Sequence, residues 1–336
     1  MKKKKNQKRY KKWRSLILLL FLTIIMFGTS TYAWFTANRV VTINAINVNV
    51  QASNGIQIST NAVDWKSVLT NMDITNNAYS GNNNQLPGVV TAVSTAGTVD
   101  ASTGLLDMFI ADIDNDASTG SYVLTAEADT EPGGSSGHFV AFDIFLRVDQ
   151  DSTISLTSDS DVLSIGTDKG LKNASRVGFV YLGHGDSDDD PANLIALNSP
   201  ASKAIIWEPN ADAHSTVVQT SVAPEYSVTL SATGNTTYYG LKAEVPDPVD
   251  LKTIVASGMA AYTSQVTPDV VTLEENSVYS QIFILETGVT KYRVYMWIEG
   301  QDIDCENNAT GSNISFNVQL STEASASGTP SSSNGG

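Results

Sequence analysis

From residue 46 onward the chain alternates apolar and polar positions with a period of two, the pattern of strands that bury one face. Ile46, Val48, Val50 and Ala52 alternate with polar residues, Asn54-Gly55 offers the positive-φ pair of a tight turn, and Ile56, Ile58 and Thr60 resume the alternation. The spacing predicts a hairpin. Just upstream, Val41, Ile43 and Ala45 fall in the opposite phase, which predicts a bulge or bend near Asn44 to Ile46. The strand before that bend need not belong to the same sheet. Residues 140–148 place Val140, Phe142, Ile144, Leu146 and Val148 on one face and Asp143 and Arg147 on the other, predicting a half-buried strand. Similar runs follow at 175–183, 280–286, 292–300 and 313–321, the last with Ile314, Phe316, Val318 and Leu320 in phase.

Many short strands divided by turn clusters, with one short helix expected near 193–203, predict an all-β fold. The expected architecture is an antiparallel β-sandwich, jelly-roll-like, with long loop insertions and little helix. The body is expected to run over 34–320, with insertions near 71–104 and 183–245. The first insertion is rich in Asn, Gly, Ser and Thr and reads as a long surface excursion. Residues 321–336 read as a disordered Ser/Gly-rich tail.

The N-terminus has a different grammar. Met1 to Arg14 is polybasic, Leu16 to Phe27 is a twelve-residue apolar run with Thr23 inside it, and Gly28 to Ala33 is small and polar. Together residues 1–33 have the three parts of a secretory signal peptide. A helix over the apolar run rises about 18 Å, short of a hydrocarbon core of ~30 Å. The expected cut follows Ala33, with Thr31 and Ala33 as the small residues around Tyr32 and Trp34 as the new N-terminus. Signal peptidase is then a partner, the membrane is touched only through the signal segment, and the product is secreted to the cell surface or extracellular matrix. The competing arrangement keeps the segment as an anchor, with Tyr32, Trp34 and Phe35 forming an interfacial belt.

Thr31, Ala33, Trp34, Phe35 and Thr36, leading into a strand, resemble the start of the TasA and camelysin group of secreted Gram-positive proteins handled by a SipW-type signal peptidase. The resemblance is strongest over residues 1–50. It implies a β-sandwich or jelly-roll body that assembles into fibres of a biofilm matrix.

Charge narrows the partners. The chain carries 20 Lys and Arg against 35 Asp and Glu, a formal charge of −15. Nine of the basic residues precede Leu16, so a body without the signal keeps 11 against 35 and carries −24. Such a body repels nucleic acid and anionic lipid, and no nucleic-acid partner is expected. Cys305 is the single cysteine, so no intrachain disulfide supports the fold.

The candidate chemistry is sparse. Asp112, Asp114 and Asp116 stand at alternate positions, the spacing of oxygen ligands in a Ca²⁺ loop, and Ca²⁺ is the one cofactor candidate. Ala117 and Val123 depart from the EF-hand pattern, where Gly and a bidentate Glu belong. Residues 186–190 form a second acidic loop, and the segments 112–121 and 302–312 echo each other as Asp-Ile-Asp followed by Thr-Gly-Ser. His138, His184 and His214 lie far apart with no zinc-protease spacing, and no nucleophile elbow or phosphate-binding loop is found. No enzyme is expected. Trp65, Trp207, Tyr238, Tyr239, Tyr295 and Trp297 offer rings for sugar stacking if they share one exposed face, although the alternation of Tyr295 and Trp297 also suits a second buried face.

The expected function is therefore structural. A freed N-terminal strand, roughly Trp34 to Val50 and including Trp34, Phe35, Val41, Ile43, Ile46 and Val48, adds to an open sheet edge of the next subunit. A head-to-tail contact of this kind propagates a fibre by self-association. The alternative is a monomeric carbohydrate-binding or adhesin module, tethered by an uncleaved signal anchor.

Overall fold

A computed structural model describes residues 42–43, 46–53, 55–116, 121–165, 170–210, 213–216, 218–222, 230, 238–250, 259–271, 280–302, 304–305 and 313–322. The fold is all-β, with two large sheets face to face and further strands stacked on the outer side of one of them.

The first large sheet is built on β18 (Gly288–Glu299). One edge of β18 pairs antiparallel with β11 (Ser175–Gly185), and the other with β8 (Val140–Val148). Where β8 ends, β5 (Val90–Val93) continues that edge, running parallel to Ile298 and Glu299. The sheet extends through β3 (Gln57–Ser59) beyond β8 and β1 (Thr42–Ile43) beyond β5. On the opposite side β12 (Ile205–Glu208) pairs with β11 and β16 (Val270–Val271) runs parallel to β12.

The second sheet is built on β19 (Asn313–Ser321), which lies parallel to β2 (Ile46–Ser53). The two strands read ISFNVQLS and INVNVQAS over the matched positions and pair residue for residue. Their inner side chains, Phe316 beside Val48 and Val318 beside Val50, enter the core. On the outer side the Asn49 amide donates to Asn317 Oδ1 at 3.2 Å and Gln51 lies beside Gln319, so cross-strand pairs of like residues secure the register. β4 (Val68–Thr70) flanks β2, while β10 (Asp161–Ile165), β9 (Ser152–Leu156) and β17 (Ser280–Leu285) complete the other side.

The main core lies between the sheets, where Val48, Val50, Ile154, Phe316 and Val318 meet Phe142, Ile144, Val177, Val294 and Met296. A second apolar layer covers the outer face of the first sheet. There Phe139, Tyr295 and Trp297 pack against residues 93–108 and a small sheet of β13 (Tyr238–Leu241) and β15 (Thr263–Val266). A three-stranded sheet of β6 (Phe109–Asp116), β7 (Ser121–Ala128) and β14 (Val245–Asp250) packs next to β13 through Leu124, Leu241 and Val245. Helix is confined to α1 (Asn71–Asn76), α2 (Pro191–Ile195), α3 (Met259–Tyr262) and one π-turn at Val218–Val222 among the described residues.

Four expectations change. The alternation on either side of Asn54-Gly55 is real, but the two strands do not form a hairpin. β2 has both edges occupied, by β19 and β4, so after Gly55 (φ +88°) the chain crosses to the opposite sheet and β3 pairs with β8. Both strands bury their apolar residues in one core, so alternation reports burial and not partnership. The phase change upstream does mark a change of sheet, since β1 belongs to the first sheet and β2 to the second.

The segment 71–104 is not a surface excursion, because Ile74, Gln85, Val90, Val93, Ser94 and Thr95 are all buried. β8 is not half-buried. Asp143 is 3% exposed, since Tyr79 and Asn84 of the preceding segment close over it beside Lys291 and Arg293. Within 183–245, β12 is an integral strand of the first sheet and Trp207 is wholly buried in the main core.

Gly240 marks the closest approach of the outer layer to the chain beneath it. A Cβ there would lie 1.8 Å from the Thr95 carbonyl oxygen, while Leu241 O accepts from Ala96 N at 2.8 Å. Gly240→Ala is expected to displace β13 and cost about 2 kcal/mol or more in denaturant unfolding. Gly88→Ala, at a site with nothing within 4 Å of the added methyl, serves as the neutral control.

Candidate functional site

Among the described residues of the N-terminal arm, two backbone pairs tie it to the body. Thr42 pairs with Thr91 and Ile43 with Val90, and β1 is the terminal strand of its sheet. Thr31, Ala33, Trp34, Phe35 and Val41 lie outside the described residues, as do residues 1–33 and the end of the tail beyond Thr322. Ile46 and Val48 belong to a different arrangement. They pair with Ile314 and Phe316 of β19, Val48 is 1% exposed, and its amide donates to Asn71 Oδ1 at 2.8 Å. Donating them to another chain would open the core. The part of the expected assembly strand that lies outside the β2 ladder therefore ends at Ile43 among the described residues, short of the expected Val50.

The three candidate calcium ligands do not share a turn. Asp112, Asp114 and Asp116 lie along β6, opposite Thr125, Val123 and Ser121 of β7. Extended backbone separates alternate residues by about 6.6 Å along a straight line, whereas a calcium loop curls its oxygens around one point. Among the described residues no three His, Cys, Asp or Glu side chains are arranged to hold a metal ion. In the second acidic loop Asp190 caps α2 by accepting from Ala192 N at 2.8 Å, and Asp189 accepts from Asp186 N at 2.9 Å. The echo between 112–121 and 302–312 is one of letters, since Asp112 is exposed on a strand while Asp302 is ion-paired in a turn.

The three histidines remain apart, His138 on Asp129, His184 on Thr290 and His214 on Asp304. The aromatics do not make a platform. Trp207, Tyr238, Tyr295 and Trp297 are buried, Trp65 lies under the Arg147 guanidinium at 4.2 Å, and Tyr239 is the one of the six that is exposed.

Two buried ionic clusters were not legible as such in the sequence. In the first, Arg293 on β18 donates to Asp143 Oδ1 at 2.6 Å and through Nε to Glu131 Oε2 at 3.0 Å. Lys291 lies 3.2 Å from Asp143 Oδ2, which also accepts from the Tyr79 hydroxyl at 2.6 Å. Burial alone would raise the Asp143 carboxyl, but the Arg293 and Lys291 charges and the Tyr79 hydroxyl outweigh it and hold it below the ordinary range. Two cations face two carboxylates here, and the cluster balances.

The second cluster gathers at the far end of β18. The Arg176 guanidinium, 1% exposed, bridges Glu208 and Asp302, the latter at 2.6 Å. Glu299 accepts from Trp297 Nε1 and from Gln301 N, both at 3.1 Å, and is wholly buried. Asp304 meets His214 at 2.7 Å and accepts from Ser215 N at 2.8 Å. Burial first, and neighbouring carboxylates second, push the Cys305 thiol well above its ordinary value, leaving it a buried and unreactive group.

The signal for both clusters was present but ambiguous. Lys291, Arg293 and Glu299 share a phase with Tyr295 and Trp297, and only the large aromatics of that series indicate that the face is covered.

Comparison with family models, with curated proteins and with solved structures finds nothing that matches this chain. The site must be read from its own geometry.

Removing one member of a buried ion cluster leaves the others charged and unpaired, at a cost of about 3–5 kcal/mol. Arg293→Met, which takes the paired cation from Glu131 and leaves Asp143 with Lys291 alone, is expected to lose that much in denaturant unfolding. Arg147→Met, whose guanidinium bonds Gln57 at an exposed position, is expected to lose far less.

Proposed function

We propose that this chain is an exported structural protein of the cell surface or extracellular matrix, a fibre subunit that assembles by adding its N-terminal strand to the next copy. The observation that carries this reading is the division between β1 and β2. Among the described residues β1 holds its sheet through two residue pairs at the edge of β5, whereas β2 is locked between two strands of the other sheet. The arm before residue 44 can leave that edge without disturbing the sandwich, and the edge it vacates accepts the same segment from another copy. Backbone hydrogen bonds supply the affinity and the alternation of side chains supplies the register. Because donor arm and acceptor edge are different surfaces, the contact does not close on itself and extends into a filament.

The chemistry of the N-terminus supports the same reading. A basic start, an apolar run and a small-residue exit precede the arm, and Trp34 and Phe35 would be its leading side chains after a cut at Ala33. The high acidity of the body keeps copies apart until the arm engages. The alternative of a monomeric carbohydrate-binding module is less well supported, because four of its six candidate rings, Trp207, Tyr238, Tyr295 and Trp297, are buried.

A secreted chain lacking residues 34–45 is expected to remain folded, with the thermal melt of the parent, and to form no filaments in negative-stain micrographs. Filaments of unchanged length from that chain would refute strand addition. Glycan binding by a parent chain that never polymerises would favour the alternative.

A further inference from the structure

Among the described residues nine buried side-chain polar atoms lack a hydrogen-bond partner, and seven of them belong to the Arg176 cluster or its immediate neighbours. They are Arg176 Nε, Glu208 Oε2, both amide atoms of Asn210, the Tyr238 hydroxyl, Gln301 Oε1 and Asn173 Oδ1. Each belongs to a residue at least nine-tenths buried. A native interior leaves a few such atoms per hundred residues, scattered through the fold, whereas here seven concentrate beside four carboxylates.

Their chemistry is mixed. Arg176 Nε and the Asn210 amide nitrogen donate, four of the oxygens accept, and the Tyr238 hydroxyl does both. A metal ion would satisfy only acceptors. Ordered water and added protons satisfy both kinds. The charges lead to the same place, because Glu208, Glu299, Asp302 and Asp304 are set against Arg176 and the titratable His214. With every carboxyl ionised the cluster is negative even if His214 is charged, and two protons restore the balance.

We infer that the cluster around Arg176 is a hydrated proton-binding centre, in which folding draws protons onto the Glu208 and Glu299 carboxyls and makes the fold more stable in mild acid than above neutrality. Local geometry provides for both protons. A protonated Glu299 can donate to the Ser94 hydroxyl that already bonds it, and Ser94 Oγ is itself fixed by Leu241 N at 3.1 Å. Glu208 binds Arg176 through Oε1 and leaves Oε2 free to carry the second.

Burial, acting against the pull of Arg176, pushes Glu208 from 4.5 to about 7. Burial likewise pushes Glu299 from 4.5 to about 7, against the hydrogen bonds from Ser94 and Trp297 and the Arg176 charge. Asp302 is also raised, by burial and by Asp304. A carboxyl raised on folding contributes stability that is whole below its unfolded value and is lost as pH climbs through its folded value. The window thus runs from about 4.5 to about 7. Tyr238 and Cys305, the other titratable groups facing the cluster, are both raised well above their ordinary values and stay neutral throughout it. Asp73 and Asp143 act in the opposite sense, since they are held below the ordinary carboxylate value and lose their contribution only in stronger acid.

The test is denaturant unfolding of the chain at about pH 5.5 and about pH 8, together with the Glu208→Gln, Glu299→Gln and double variants. The unfolding constant of the parent is expected to rise about tenfold or more between the two conditions, and the double variant to lose most of that rise. Infrared spectra of the parent at about pH 6 should show a carboxylic-acid carbonyl band that fades above neutrality and is weakened in each single variant. A parent equally or more stable at the higher pH, a double variant that keeps the parental slope, or the absence of that band would each overturn the inference.

Discussion

All twelve residues of β18 are buried, and the rest of the structure follows from that. A strand at the sheet centre with both faces covered requires an apolar layer on each side. On one side the β19 sheet supplies it; on the other residues 93–108 and β13–β15 cover Tyr295 and Trp297, while Ala62, Tyr79 and Leu194 cover the Val289 end. The same burial removes water from Lys291, Arg293 and Glu299, whose outer-face positions would be solvated in a two-layer sandwich. Charges taken out of water are tolerable only when paired and hydrogen-bonded, so partners converge on β18 from β8, β11, β12 and the turn that follows it. With no disulfide available, burial and these two clusters hold the outer layer to the sheet.

The periodicity along the chain located most strands, because a half-buried and a fully buried strand both show apolar residues at every second position. It also detected the break before Ile46, where two residues separate strands of different sheets. Partnership was not legible. Residues flanking Asn54-Gly55 look like a hairpin by every local criterion, and only the prior occupation of both edges of β2 sends the chain across the core. The near-identity of β2 and β19 was written in the sequence, yet a match of strands so far apart gains meaning only once they are seen paired.

Charged positions were the other source of error. Asp143 and Arg293 sit where a polar residue in a strand usually faces water, and the pattern does not distinguish a solvated carboxylate from one that is ion-paired under a third layer. Asp112, Asp114 and Asp116 show the converse. Alternate aspartates suit a curled loop, but β-propensity in their flanks, Phe109 to Ile113 and Tyr122 to Leu124, extends the backbone and spreads them along a hairpin.

Central to the functional account is that the Thr42–Ile43 ladder is exchanged between copies while the β2 ladder is not. Partner residues in an antiparallel pair bring their Cβ atoms within about 5 Å, close enough for a disulfide. The direct measurement mixes a chain carrying Ile43→Cys with a chain carrying Val90→Cys and allows mild oxidation as filaments form, the buried Cys305 remaining out of reach. Covalent dimers joining the two species, appearing only with filaments, are the predicted result; filaments that form without such dimers would contradict it.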